Sequence, residues 1–177
     1  MENRFHLLRL ALIIILFTAA AGMAFADSQW DIALNVPYHM GIYTDNGDFS
    51  SMTDGIYPLP SVEWHWYFGS DILHFGPGLK LWTVVLESAL YPVVSVESNL
   101  GDFVINASFG GGAFLLFGAL TTVDAASIFL PEVSVAYRLG KQKRFSLGAG
   151  AIFFIAPGIA DTDGFGFIGT ALARFTF

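Results

Sequence analysis

The stretch from Gly164 to Phe177 reads GFGFIGTALARFTF. Counting back by twos from Phe177 gives Phe175, Ala173, Ala171, Gly169, Phe167 and Phe165, all apolar. The interleaved set is Thr176, Arg174, Leu172, Thr170, Ile168 and Gly166, which holds the only charge of the stretch. A repeat of two is the period at which side chains alternate across a strand. Ends of soluble domains usually fray. An apolar strand that runs to the end of the sequence is instead expected to be paired on both edges, as in a closed sheet.

The composition agrees with a surface that does not face water everywhere. Hydrophobic residues make up 54% of the 177 residues and charged residues 13%, against roughly 25% charged in a typical soluble domain. With no Cys, the chain has neither disulfides nor thiolate metal sites. A formal charge of −7 excludes a nucleic-acid partner, which needs a basic face.

The N-terminus reads as a targeting segment. Arg4 and Arg9 precede the apolar run Leu10–Phe17, and Ala24-Phe25-Ala26 fits a small-x-small cleavage site. Residues 1–26 are therefore expected to be a removed signal peptide, with residues 27–177 as one domain. No Cys follows the site, so a lipoprotein is excluded.

Eight strands are predicted in that domain: 29–40, 60–69, 74–86, 91–98, 103–117, 129–139, 145–155 and the final stretch. A long polar loop, 41–58, follows the first, a short connection, 87–90, follows the third, and the turn 99–102 has strong turn chemistry. All seven Pro fall in loops or near the ends of these predicted strands, as expected of residues that cannot donate to a ladder. Connections after odd-numbered strands average longer than those after even-numbered ones, the asymmetry of small membrane barrels. Each strand has one bulky apolar set, such as Val62, Trp64, Trp66 and Phe68, and one set rich in Gly, Ser and Ala. So many large rings do not fit inside a small closed barrel, so the bulky set is placed outside and the small set inside. Aromatics are expected in two belts, with Trp30, Phe75, Phe103, Tyr137, Phe145 and Phe177 below, and Tyr38, Trp64, Phe117, Phe153 and Phe165 above. A soluble secreted sandwich is one alternative and a helical membrane protein another, since Phe103–Leu120 and Ser146–Ala160 are apolar. The first contains Asn106, Ser108 and three Gly, and the second is shorter than the ~20 residues of a spanning helix. The reading is an all-β, eight-stranded antiparallel transmembrane β-barrel in a bacterial outer membrane.

With this alternation and the terminal Phe177, the chain resembles the small eight-stranded outer-membrane proteins, the group that includes outer-membrane proteins A, X and W. The resemblance implies that the last strand closes the barrel and that Phe175 and Phe177 form a signal read by the barrel-assembly machinery. It also implies contact with outer-membrane and lipopolysaccharide-like lipids. A structural or surface-interaction role is expected. A narrow, porin-like channel or a lateral path for small hydrophobic molecules is the alternative. Some barrels of this size hydrolyse lipid A, with Ser and His close together near the end of the chain, and the final strand here has neither.

No catalytic, cofactor or metal residue is assigned. Ser61, Glu63 and His65 share a predicted face, but on one strand they stand ~6–7 Å apart per step, too far for a relay. Asp45, Asp48 and Asp54 lack a full Ca²⁺-loop pattern, and the loop 41–58 is read as an acidic surface offered to an extracellular ligand. Gly110-Gly111-Gly112 marks a bend or room for an interior side chain. The strand-borne charges Asp31, Glu63, Lys80, Glu97, Glu132, Arg138 and Arg174 all fall on the inward set. They are expected to form an internal ion network that plugs the lumen, with Arg174 facing Asp31 across the closing seam.

Overall fold

The computed structural model describes residues 27–43, 49–52, 57–84, 86–119, 124–126, 128–155 and 165–177. The expected signal peptide, residues 1–26, lies outside them. The strands are β1 (Asp27–Tyr43), β2 (Phe49–Met52), β3 (Leu59–Gly69), β4 (Leu73–Val84), β5 (Glu87–Leu100), β6 (Phe103–Gly111), β7 (Phe114–Gly118), β8 (Asp124–Ala126), β9 (Phe129–Leu139), β10 (Phe145–Ile155) and β11 (Phe165–Thr176). Around the ring the order is β4-β3-β1-β11-β10-β9-β6-β5, and β5 pairs back to β4. The result is a closed eight-stranded antiparallel barrel, with β2, β7 and β8 extending its rim. The segments Phe103–Leu120 and Ser146–Ala160 contain β6, β7 and β10, so the helical alternative is excluded.

Closure runs through the final stretch, Phe165–Phe177. β11 pairs with β10 on one edge, from Phe145↔Phe175 to Ile155↔Phe165, and with β1 on the other, from Asp31↔Thr176 to Tyr43↔Phe165. The terminal residues are pinned as well: Thr176 N–H donates to Arg144 O at 2.8 Å and Phe177 N–H to Trp30 O at 2.8 Å.

The alternation sorts the side chains as an outer-membrane-type barrel does. Ile32, Leu34, Leu79, Val94, Val96, Ile105, Phe109, Val133, Val135 and Leu147 are exposed, while Asp31, Asn35, His65, Lys80, Ser95, Glu97 and Thr170 are buried. A water-facing apolar belt of that extent would aggregate. Facing lipid it is the stable arrangement, and a closed ladder satisfies every strand's backbone within the bilayer. The turns Ser70–Ile72, Gly101–Asp102 and Gly140–Arg144 lie at one end of the barrel. As short turns they mark the periplasmic end. There Lys143 reaches Asp102 at 2.6 Å and binds two turns together. The hydrogen bond and charge of Lys143 hold the Asp102 carboxyl below its usual value of 3.8. This bracing is present at neutral pH and is lost as pH falls through the lowered value.

Several expectations are corrected. The loop 41–58 is partly strand, because Met40–Tyr43 pairs with Phe49–Met52; residues 44–48 and 53–56 lie outside the described residues. The connection 87–90 is also strand: Val84 pairs with Glu87 and Leu81 with Leu90. Glu87 and Ser88 looked like a connection because they are polar, but at a barrel rim outside the lipid a ladder tolerates polar residues on both faces. Trp64 pairs with Trp30 and stacks on it at 5.4 Å, so it belongs to the lower aromatic belt. β1 bulges between Pro37 and His39, a tolerated place for a residue without an N–H.

Both readings of the Gly triplet hold. Gly111 and Gly112 have φ of 112° and 79°, which lets the chain bend between β6 and β7. A Cβ on Gly110 would strike the ring of Tyr91, which is 1% exposed. Gly110→Ala is therefore expected to cost about 1–3 kcal/mol by overpacking, measured by urea unfolding in lipid vesicles. Tyr91→Leu in the same chain should recover part of it; equal losses in the single and double variants would show that the ring is not what Gly110 accommodates.

Candidate functional site

The inward face of each strand converges on a lumen filled in three layers. The lowest is centred on Glu97 of β5, which is 1% exposed. Its two carboxylate oxygens accept from Arg138 of β9 at 3.1 Å and Arg174 of β11 at 3.2 Å, and His74 of β4 lies 3.4 Å away. Arg174 also donates to Ser134 at 3.4 Å. Four strands are thus tied through one buried carboxylate. Below this layer an open cavity of about 570 Å³ faces the periplasmic end, lined in part by Tyr67, His74, Asn99 and Arg138.

The middle layer is centred on Lys80 of β4. Its ammonium lies between Glu63 of β3, in close contact, and Glu132 of β9 at 2.6 Å. Tyr91 O–H donates to Glu132 at 3.3 Å. Asp31 accepts from Thr176 O–H at 2.5 Å and from the Gln29 amide at 2.9 Å. The structure therefore brings Glu63, Lys80 and Glu132 into one group and Glu97, Arg138 and Arg174 into another. Arg174 and Asp31 act on each other electrostatically across the seam but make no direct ion pair: Asp31 sits opposite Thr176 in the ladder, and the Arg174 guanidinium donates to Glu97. A residual cavity of about 20 Å³ beside Glu63, Lys80, Glu132 and Arg174 holds no more than one water.

The upper layer was not foreseen. Leu59, Trp82, Tyr91, Phe114, Leu130 and Ile152 pack into one buried cluster inside the barrel, where small residues and an ion network were expected. Lys80 lies 5.2 Å from the Trp82 ring centroid, within cation–π range, and so couples this apolar layer to the ionic one beneath. The signal was present in the sequence as large apolar residues on the inward set, one to a strand. Only the ladder register brings them to the same place.

A relay of a different kind lies beside the middle layer. His65 Nε2 is 2.9 Å from Ser95 Oγ, and Glu63 approaches the opposite ring nitrogen at 3.9 Å. The order acid, imidazole, hydroxyl is that of a hydrolase triad. The hydroxyl comes from Ser95 on β5 and not from Ser61. Ser95 and His65 are both 0% exposed, and a Cβ on Gly78 would strike the His65 ring. Nothing larger than the existing side chains fits there. Among the described residues no group of His, Asp and Glu is arranged to hold a metal ion.

No family model and no curated protein matches this chain. Among solved structures it is similar to Neisserial surface protein A at 10% identity, over 85% of this chain and 99% of that one, with a TM-score of 0.49. It is similar to Ail, the attachment invasion locus protein of Yersinia pestis, at 9% identity over 85% and 99%, with a TM-score of 0.41. It is similar to the outer membrane protein OprG from Pseudomonas aeruginosa at 9% identity over 86% and 96%, with a TM-score of 0.40.

Proposed function

We propose that this protein is a sealed outer-membrane barrel that acts through its surfaces, as a structural or surface-interaction protein. The observation that carries this reading is the double closure of the lumen: an ionic layer crosses it between β3, β4, β5, β9 and β11, and an apolar cluster lies above. Either layer alone opposes ion passage, the first by filling the cross-section and the second by excluding water. The barrel-assembly machinery is the proposed partner for the Phe175–Phe177 end, and an extracellular ligand for the acidic segment 41–58. No catalytic step is part of the proposal, because Ser95 and His65 have no path to a substrate. In planar bilayers the purified barrel should give no discrete conductance steps; a stable, steady conductance would overturn the reading.

One observation favours the second reading, a lateral path for small hydrophobic molecules. β1 pairs with β3 only as far as Asn35 and with β2 only from Met40. Among the described residues, the ladder gives Val36–Tyr38 no partner on that side. Uptake of a hydrophobic substrate by cells carrying the barrel, against cells lacking it, separates the two.

A further inference from the structure

The basic residues of the barrel have an uneven distribution. From Asp27 onward, the Lys and Arg are Lys80, Arg138, Lys141, Lys143, Arg144 and Arg174. Lys80, Arg138 and Arg174 are engaged by Glu63, Glu132 and Glu97 inside the barrel. The other three occupy a single turn, Gly140–Arg144, between β9 and β10, and all three are exposed. Only Lys143 has an ionic partner, Asp102. The Lys141 and Arg144 side chains make no ion pair or hydrogen bond among the described residues.

The turn begins where the lipid-facing belt stops. Leu139 precedes it and Phe145 follows it, both outward and 38% and 39% exposed. Phe145 is paired with Phe175, and the neighbouring Tyr137 packs edge-on against Phe103 at 5.1 Å. Basic side chains bordering such a belt lie at headgroup height, with their stems along apolar surface. The exposed acids Asp27 and Asp71 at this end lie at the start of β1 and in the β3–β4 turn. The order of strands puts the β3–β4 turn on the opposite side of the ring from β9 and β10. They would repel a soluble polyanion spanning the mouth but do not reach a headgroup against the β9–β10 wall.

We propose that the Gly140–Arg144 turn binds the phosphate of an anionic phospholipid in the periplasmic leaflet, through Lys141 and Arg144 with Lys143 in support. Its apolar chains lie along Leu139 and Phe145. The guanidinium offers paired donors to phosphate and the two ammoniums add point charge.

The test uses the folded barrel in uncharged maltoside micelles, with amide signals of residues 139–145 followed by NMR. Short-chain phosphatidylglycerol, short-chain phosphatidylcholine and free glycerol phosphate are titrated separately. Phosphatidylglycerol should shift these signals, and 0.5 M salt should weaken its binding. Lys141→Gln with Arg144→Gln should weaken it about 25-fold, from roughly fivefold per charge at a membrane surface. These side chains hold no other element, so the variant should keep the heat-modifiable gel mobility of the folded barrel. Equal binding of phosphatidylcholine, or wild-type affinity in the double variant, would overturn the proposal. Glycerol phosphate binding as tightly as phosphatidylglycerol would also overturn it, by showing a site for soluble anions that does not read the lipid.

Discussion

Glu97→Gln is expected to destabilise the barrel by about 3–5 kcal/mol, the cost of removing one partner from a buried ionic group. Its carboxylate is the shared acceptor of Arg138 and Arg174 and has His74 beside it. Losing its charge leaves two guanidiniums close together at the bottom of a narrow lumen, so repulsion adds to the lost bonds. Arg138→Met alone should cost less, because Glu97 keeps Arg174 and Arg138 is the more exposed of the two. Glu97→Gln combined with Arg174→Met should recover part of the loss, since both members of a pair are then gone. Urea unfolding in vesicles of fixed composition gives the three values. A loss below about 1 kcal/mol for Glu97→Gln, the range of exposed pairs, would mean that water reaches the lower layer and shields it.

The second large effect is on conductance, and it is expected to require two lesions. Arg138→Ala with Arg174→Ala removes the basic half of the lower layer. It leaves Lys80 between its two glutamates and leaves the apolar cluster intact. That variant should still show no discrete steps in a planar bilayer. Trp82→Ala with Phe114→Ala opens the cluster but leaves the ionic layer, and should behave likewise. Combining all four with Lys80→Met, which breaks the Glu63–Lys80–Glu132 group that otherwise still crosses the lumen, should produce discrete steps. Each aromatic truncation costs ~3–5 kcal/mol, so heat-modifiable mobility must first show that the barrel is folded. Conductance appearing already in the double arginine variant would show that the apolar cluster does not seal.

Which residues face lipid and which face the lumen was legible in the sequence, because side-chain direction depends only on a period of two. The height at which residues meet was not legible. Sliding a strand by two residues against its neighbour preserves every face and changes every partner. That ambiguity put Trp64 in the upper belt, although it stacks on Trp30, and gave Arg174 to Asp31, although the ladder puts Thr176 there. It also hid the apolar cluster. Leu59, Trp82, Tyr91, Phe114, Leu130 and Ile152 come from different strands, and nothing along the chain says they are level. Phe114 keeps the inward phase of Val104, Asn106 and Gly110 across the bend at Gly111 and Gly112, but the bend changes the height at which it meets its neighbours. The Ser95–His65 contact was missed for the same reason, since strand-local spacing says nothing about a partner on a strand two places away.

The seam between β1 and β11 has a consequence for how the molecule comes into being. Asp31 and Thr176, which hydrogen-bond across it, are 145 residues apart in the chain. Every other pairing in the ring joins strands that follow one another along the chain, rim strands aside, whereas this junction joins the first strand to the last. Pairings of such separation are slow to form. Before it forms, β1 and β11 each present a row of open N–H and C=O groups, which cost several kcal/mol apiece in hydrocarbon. An open sheet therefore cannot wait in the bilayer for its ends to meet. Insertion and ring closure must be one event, and a slow step common to both should appear in the folding kinetics as a single phase.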